Sequence, residues 1–457
     1  MQSPSAQPQE HPAQLASKPA LLMLCIAILC AQLDMSMTNI AVKPVGESFN
    51  ASLASQQWFL DAYNLSYASL LLTGGVLADL FGRRRVFVAG NALFGIGSIL
   101  CATAPTISML LFGRLISGVG AALLLPASLA LIRVIWKQEY DRGRVLGIWA
   151  GCHGLALVIG PVLGGALMHY LSWRSIFILT IPLAFIVVAG SQVSIPESAD
   201  REGRSFDLAG QILGFTALAS LTIAAIQIHQ HVGIAILSGI IFIVSLASFI
   251  TVEHRRDELA LMPTRLFKIP QFLGSVLATI SMTFGMYSTM FLLPLTWLET
   301  GQMSIIAAGI ALLPCAIIFM IISPLSGAIQ ARIGLRAIVA LGLGSIMLGI
   351  VLIATTASQF YWTVGIGLAL TGLGMGLAIG PLMGGAVNAV DDERAGSAGA
   401  LINVARMVGA TLGIAIIGSL YGLFDDFYAG LQGALLIAVC VQIVGVSFAL
   451  RSFGKTP

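Results

Sequence analysis

Charge is what this sequence has least of: Asp, Glu, Lys and Arg make up 9% of it, where ordinary soluble domains carry roughly 25%. A surface so poor in charge excludes a chain dissolved in water. The 23 Lys and Arg gather into no tail or patch, so nucleic acid is not expected as a partner. Six cysteines, Cys25, Cys30, Cys101, Cys152, Cys315 and Cys440, all fall inside apolar runs. They lack metal-ligand spacing and a loop framework that disulfides could staple, and are expected as packing residues. No nucleophile/base pair, HExxH or nucleotide loop is present, so neither enzyme chemistry nor a cofactor is expected. Met1 to Pro19 has no charged start or cleavage pattern of a secretory signal and reads as a disordered cytoplasmic tail. Nothing at either end resembles a lipidation site.

Apolar sequence is abundant instead: 57% of residues are hydrophobic and the mean hydropathy is +0.94. Windows of about twenty apolar residues place membrane spans at 20–42, 57–78, 86–104, 107–134, 144–170, 174–194, 207–229, 232–252, 271–297, 305–330, 336–355, 360–388, 397–421 and 430–451. Fourteen spans leave both termini on one side. Of the 23 Lys and Arg, 19 then fall on the side of Arg83, two (Lys43, Arg174) on the other, and two (Arg114, Arg406) within spans. Loops rich in Lys and Arg stay in the cytoplasm, so both termini are expected there, in a multi-pass protein of a bacterial-type inner membrane.

The chain repeats itself at an offset of 252: Gly75, Gly82 and Arg84 fall on Gly327, Gly334 and Arg336, each at the foot of an apolar span. At offset 249, Gly160 to Gly164 falls on Gly409 to Gly413. The fold class is therefore all-α integral membrane: two six-helix halves, 20–195 and 271–451, with an inserted helix pair and its loops in 196–270 and short tails at 1–19 and 452–457. Parallel halves about an axis along the membrane normal, with a substrate site between them, belong to the rocking transporters.

Several of these motifs resemble a known family. The hairpin Gly75-x-x-x-Asp79-x-x-Gly82-Arg83-Arg84-Arg85, Arg114-x-x-x-Gly118-x-Gly120 in the fourth span and Gly160-Pro161-x-x-Gly164-Gly165 in the fifth are similar to the signature set of the major facilitator superfamily. Leu33-Asp34-x-x-x-x-Asn39, Trp58-x-x-Asp61-x-Tyr63 and the count of fourteen resemble its drug/proton antiporter branch, of the multidrug or quaternary ammonium type. The resemblance covers Leu21 to Leu450. It implies alternating access, a monomer surrounded by membrane lipids, and a proton gradient as energy source with no cofactor.

Depth singles out the chemistry. At 1.5 Å per residue, Asp34 lies roughly 21 Å in from the cytoplasmic end, with Asp61 roughly 6 Å and Arg114 roughly 10 Å from the other face of a ~30 Å core. Burial disfavours the charged form of a carboxylate and a nearby arginine favours it, so a group poised between them can exchange a proton. Asp34, Asp61 and Arg114 are the expected proton and cation site; the alternative is a static ion pair with Arg114 that only fastens helices. Gly154, Gly160, Pro161, Gly164 and Gly165 give the fifth span a smooth face and a bend, which by resemblance packs against the other half and seals the outward path. Gly75, Asp79, Gly82, Arg83, Arg84 and Arg85 resemble a latch on the cytoplasmic side, one-sided because Asp79 maps to Ala331; topology alone is the alternative for the arginines. Arg406, roughly 13 Å deep, is expected to pair with Asp391, Asp392, Glu393 or helix-end carbonyls as a gate residue, and His153 to pack.

Lipophilic substrates need an apolar, aromatic cavity. Candidates to line it are Trp58, Tyr63, Trp149, Phe284, Tyr287, Phe291 and Phe319; the alternative is that they pack or face lipid. Some fourteen-span relatives carry additional carboxylates in later spans. Here Glu299, Asp425 and Asp426 lie at loops, which argues against dications. The expectation is proton-coupled efflux of lipophilic monocationic or neutral drugs, with a dedicated exporter of one antibiotic or metabolite, or a passive facilitator, as alternatives.

Overall fold

Backbone groups in hydrocarbon find no water, so each apolar run must close its hydrogen bonds on itself as a helix. The computed structural model describes residues 12–199, 207–228, 231–256, 264–358, 361–390 and 395–453. Among them, 14 helices are long and apolar enough to cross a membrane: α1 Lys18–Phe49, α2 Leu53–Phe81, α3 Arg83–Thr103, α4 Ile107–Ile135, α5 Arg144–Tyr170, α6 Ser175–Ser194, α7 Leu208–Gln227, α8 Val232–Arg255, α9 Pro270–Glu299, α10 Ile305–Ile333, α11 Leu335–Thr356, α12 Tyr361–Val387, α13 Ala398–Tyr421 and α14 Phe427–Ser452.

Helix ends outrun the apolar windows. The helix containing α1 begins at Pro12 and ends at Phe49, so the disordered tail expected over 1–19 is corrected for 12–19, while 1–11 lie outside the described residues. A hydropathy window stops where side chains turn polar, whereas the backbone ladder continues into the interface until a cap ends it. Ser52, Thr106, Ser304 and Asp426 are such caps, each accepting from the backbone N–H three residues on.

The repeat is structural. The α2–α3 hairpin turns on Gly82 at φ 109° and the α10–α11 hairpin on Gly334 at φ 81°, a left-handed backbone that only glycine adopts cheaply. On the opposite face, the α1–α2 and α9–α10 turns use Asn50 at φ 52° and Gly301 at φ 68°. Five packings of the first half, α1 on α5, α1 on α6, α2 on α4, α3 on α4 and α3 on α6, recur in the second as α9 on α13, α9 on α14, α10 on α12, α11 on α12 and α11 on α14. The offset of 252 also carries Gly97 of α3 onto Gly349 of α11. A Cβ on Gly97 would lie 2.7 Å from Gly113 O, and one on Gly349 would lie 2.5 Å from Gly367 O. Both helix pairs therefore approach backbone to backbone.

The inserted pair leans on both halves. Gln211 of α7 accepts from Thr73 Oγ1 and donates to Ser69 O, both on α2. Near the other end of α7, Ala225 O accepts from Ser419 Oγ of α13 at 2.7 Å. α8 packs chiefly on α7 and turns Ile236, Leu237, Ile240 and Ile243 outward.

Candidate functional site

Close approach of α4 to α2 builds the first part of the site. A Cβ on Gly118 would lie 2.4 Å from Tyr63 O, so only glycine lets Arg114, one turn away, sink between α1 and α2. Arg114 Nη1 donates to Asp34 Oδ2 at 2.5 Å and Nε to Phe59 O at 3.1 Å, and both charged side chains are 1% exposed. The rings of Tyr63, Phe59 and Phe177 close over the guanidinium at 4.6, 5.5 and 5.9 Å. An Asp34–Arg114 ion pair is thus what this conformation contains. Asp61 is brought to neither partner: it is 0% exposed, its polar neighbour is Asn64 on the same helix, and among the described residues no cation pairs with it. An ionised carboxylate left unpaired in such a place costs several kcal/mol, about 1–3 even for a neutral polar group.

Between the halves lies a cavity of about 60 Å³ lined by α1 (Met35, Ser36, Asn39), α5, α9, α10 and α12. Met286, Met290 and Met375 join Met35, and Tyr287 and Phe319 are the expected aromatics that reach it. Tyr63 belongs to the Arg114 cage instead. Phe284 and Phe291 are packed in the core, and Trp58 lies against Ala54, Ile226 and Ala415. Trp149 is half-buried against the cluster containing Tyr67 and Met407, and its Nε1 has no acceptor. The methionines went unread in the sequence. Their signal was the i, i+4 pair Met286 and Met290 on one helix face, where flexible thioethers suit varied shapes.

Away from the arginine hairpin the halves are in contact. A Cβ on Gly309 of α10 would lie 2.4 Å from Pro161 O, and one on Gly165 would lie 3.0 Å from Ile305 O. Lys43 Nζ of α1 donates to Leu298 O of α9 at 2.5 Å and pairs with Glu299 at 3.6 Å. Gln57 of α2 donates to Ala415 O of α13 at 3.0 Å. Toward the hairpin, a Cβ on Gly154 would lie 3.8 Å from Met320, and Cβ atoms on Gly147 and Gly151 would meet nothing within 4 Å. The expected glycine face is therefore divided. Gly160 and Gly164 pack on Ser36 and Met37 within their own half, while Pro161 and Gly165 meet α10. Gly309→Val is expected to disfavour this arrangement by about 1–3 kcal/mol, the usual cost of overpacking. Double electron–electron resonance between labels at the ends of α5 and α10 would show the closed distance depleted; an unchanged distribution would refute the contact.

At the hairpin, Arg83 pairs with Asp79 at 2.9 Å. Gly75 lies beside Pro126 of α4. Glu197, which sequence reasoning passed over as a linker residue, accepts from Arg84 N at 3.1 Å and lies 3.7 Å from both Arg84 Nε and Arg85 Nε. A Cβ on Gly82 would sit 2.7 Å from Glu197 Oε1. Among the described residues, these hairpin bonds stay within one half. Asp391, Asp392 and Glu393 lie outside the described residues. Arg406 forms no ion pair among those described; it lies beside Tyr67, with its charge reaching His153 and Tyr287.

Two like bundles around a shared cavity, closed at one membrane face and parted along α5 toward the other, define a membrane transporter. Residues 24–414 match the Major Facilitator Superfamily, and the chain belongs to that family. It is 32% identical over 392 residues to the multidrug resistance protein Stp of Mycobacterium tuberculosis (strain CDC 1551 / Oshkosh), covering 85% of this chain and 72% of that one. It is 30% identical over 421 residues to the methylenomycin A resistance protein of Bacillus subtilis (strain 168), covering 91% and 90%. Among solved structures, a POT family transporter in complex with 5-aminolevulinic acid superposes with a TM-score of 0.72 over 95% of this chain and 97% of that one, at 12% identity. At that identity the likeness is one of fold.

Proposed function

We propose that this protein is a proton-driven exporter of lipophilic small molecules, resident in a bacterial inner membrane with its arginine hairpin and both termini in the cytoplasm. The positive-inside distribution supports that orientation, which makes the conformation described above open toward the cytoplasm and sealed outside. Relatives named for resistance and spanning 85–91% of this chain support export of drugs. One observation carries the coupling: two buried carboxylates in the same half, Asp34 held by Arg114 and Asp61 with no counter-ion among the described residues, only the amide of Asn64 near it.

A proton on Asp61 removes the cost of its solitude. Loss of that proton makes the buried carboxylate intolerable where it stands and drives the half to rearrange. Asp34 enters the cycle by letting go of Arg114, which frees a carboxylate for a second proton or for a cationic substrate. The cavity lining itself carries no charged side chain. Neutral lipophilic molecules therefore need no release of Asp34, and monocations do. One proton exchanged for one monocation moves no net charge and is driven by the pH difference alone, about 1.4 kcal/mol per unit; a second proton adds roughly 2.3 kcal/mol per 100 mV.

In everted vesicles holding an imposed pH gradient, uphill uptake of a lipophilic dye is expected to collapse on adding a protonophore, and dye added without a gradient is expected to move protons. Dye movement that only follows its own gradient, indifferent to the protonophore, would make the protein a facilitator. A panel of unrelated compounds separates a multidrug exporter from one dedicated to a single antibiotic, a reading that the methylenomycin A relative also supports.

A further inference from the structure

Next to the methionine cavity stands a group of buried donors with nothing to donate to. Arg406 Nε of α13 and Trp149 Nε1 of α5 are buried without an acceptor, and Tyr67 Oη of α2, which lies against the Arg406 guanidinium, has no acceptor for its own proton. Tyr67 is 1% exposed. Tyr287 Oη of α9 has only the thioether of Met35, 3.7 Å away, and sulfur is a weak acceptor. Tyr67, Met35 and Met407 belong to one packed cluster, against which Trp149 and Tyr287 lie. His153, one turn beyond Trp149 on α5, is within reach of the charge of Arg406. Arg406, Tyr67 and Tyr287, from three helices of both halves, thus gather their N–H and O–H groups in one place, and no described carboxylate answers them.

Buried polar groups are normally satisfied, and those left over in a native structure call for an explanation. A guanidinium and two phenols are donors that suit an anion, with Arg the residue that binds carboxylates in two-pronged fashion. Tyr287 and Met35 also line the apolar cavity, so the donors stand at one end of a space whose other end is Met286, Met290, Phe319 and Met375. We propose that this end is the head-group subsite of the transporter and that its ligands are lipophilic molecules bearing a carboxylate, the carboxylate on Arg406 and Tyr67 and the apolar body among the methionines. This rests on the central cavity being the substrate site of the exporter proposed above, and within its lipophilic small molecules it selects those with an anionic head in place of monocations.

The test is equilibrium binding of 1-naphthylacetate and of its methyl ester to the full-length protein in nanodiscs of pure phosphatidylcholine, with no gradient present. The wild type is expected to bind the carboxylate about tenfold more tightly than the ester, and Arg406→Gln to lose about that factor for the carboxylate alone, as follows from removing a charge-assisted hydrogen bond. Tyr67→Phe, which removes one hydroxyl from a packed ring, is expected to act in the same direction more weakly. Equal affinity of the two probes in the wild type, or equal loss of both in the variants, would overturn the proposal. Preference appearing for phosphatidylglycerol added to the disc, with none for naphthylacetate, would assign the donors to lipid and overturn it too. Binding needs no proton gradient, so failure of uphill efflux would remove the exporter reading while leaving this outcome standing.

Discussion

Arg114→Leu is expected to destabilise the folded protein by about 3–5 kcal/mol, because it strands Asp34 in a closed aromatic pocket without its partner. Removing both charges is a different matter. Asp34→Leu/Arg114→Leu puts hydrocarbon where an ion pair stood, and such replacements are often neutral or stabilising. The double variant should therefore recover most of the melting temperature that the single one loses, measured in detergent. Export should not return with it, since the carboxylate is gone. A double variant that restores drug resistance in cells would reduce the pair to a fastener and remove Asp34 from the transport cycle.

Asp61→Asn is expected to separate function from stability in the opposite way. Asp61 has no described ion-pair partner to lose, its neighbour Asn64 can bond an amide oxygen as well as a carboxylate, and an amide of nearly the same volume carries no charge to bury, so the stability should stay within about 1 kcal/mol of wild type. Uphill efflux should fall to the level of passive leak, because the side chain can no longer take up or give back a proton. Substrate-dependent proton release from purified, reconstituted protein is the readout. Wild-type release from the Asn variant would place the coupling elsewhere.

How much of this was legible in the sequence divides by geometry. Span count, charge geography and the 252-residue repeat are one-dimensional properties, and Gly82 and Gly334 duly turn the two hairpins. Axial depth is one-dimensional as well, which is why Asp34 and Arg114 could be set at one level. Rotation about a helix axis is not: Asp61 shares the level of Arg114 and still faces elsewhere, and Gly164 and Gly165, about 100° apart on α5, look at α1 and α10 respectively. The division of the glycine face is the direct result of that angle. Glu197 escaped because its partners lie 112 and 113 residues earlier in the chain and no periodicity links a linker to a hairpin. The aromatics were overvalued as cavity lining for a related reason. In a bundle this tightly held, large rings such as Phe291 fill the space between helices, and the adaptable surface is left to methionine.

The two seams between the bundles are unlike in what covers them. Where α2 meets α13, α7 lies across the join, gripped through Gln211 on one side and touched by Ser419 on the other. Where α5 meets α10, Leu155, Ile159, Ile317 and Ile321 face outward with no helix among the described residues over them. Acyl chains therefore lap against the inter-bundle boundary on one flank, whereas on the other α7 stands between them and the join.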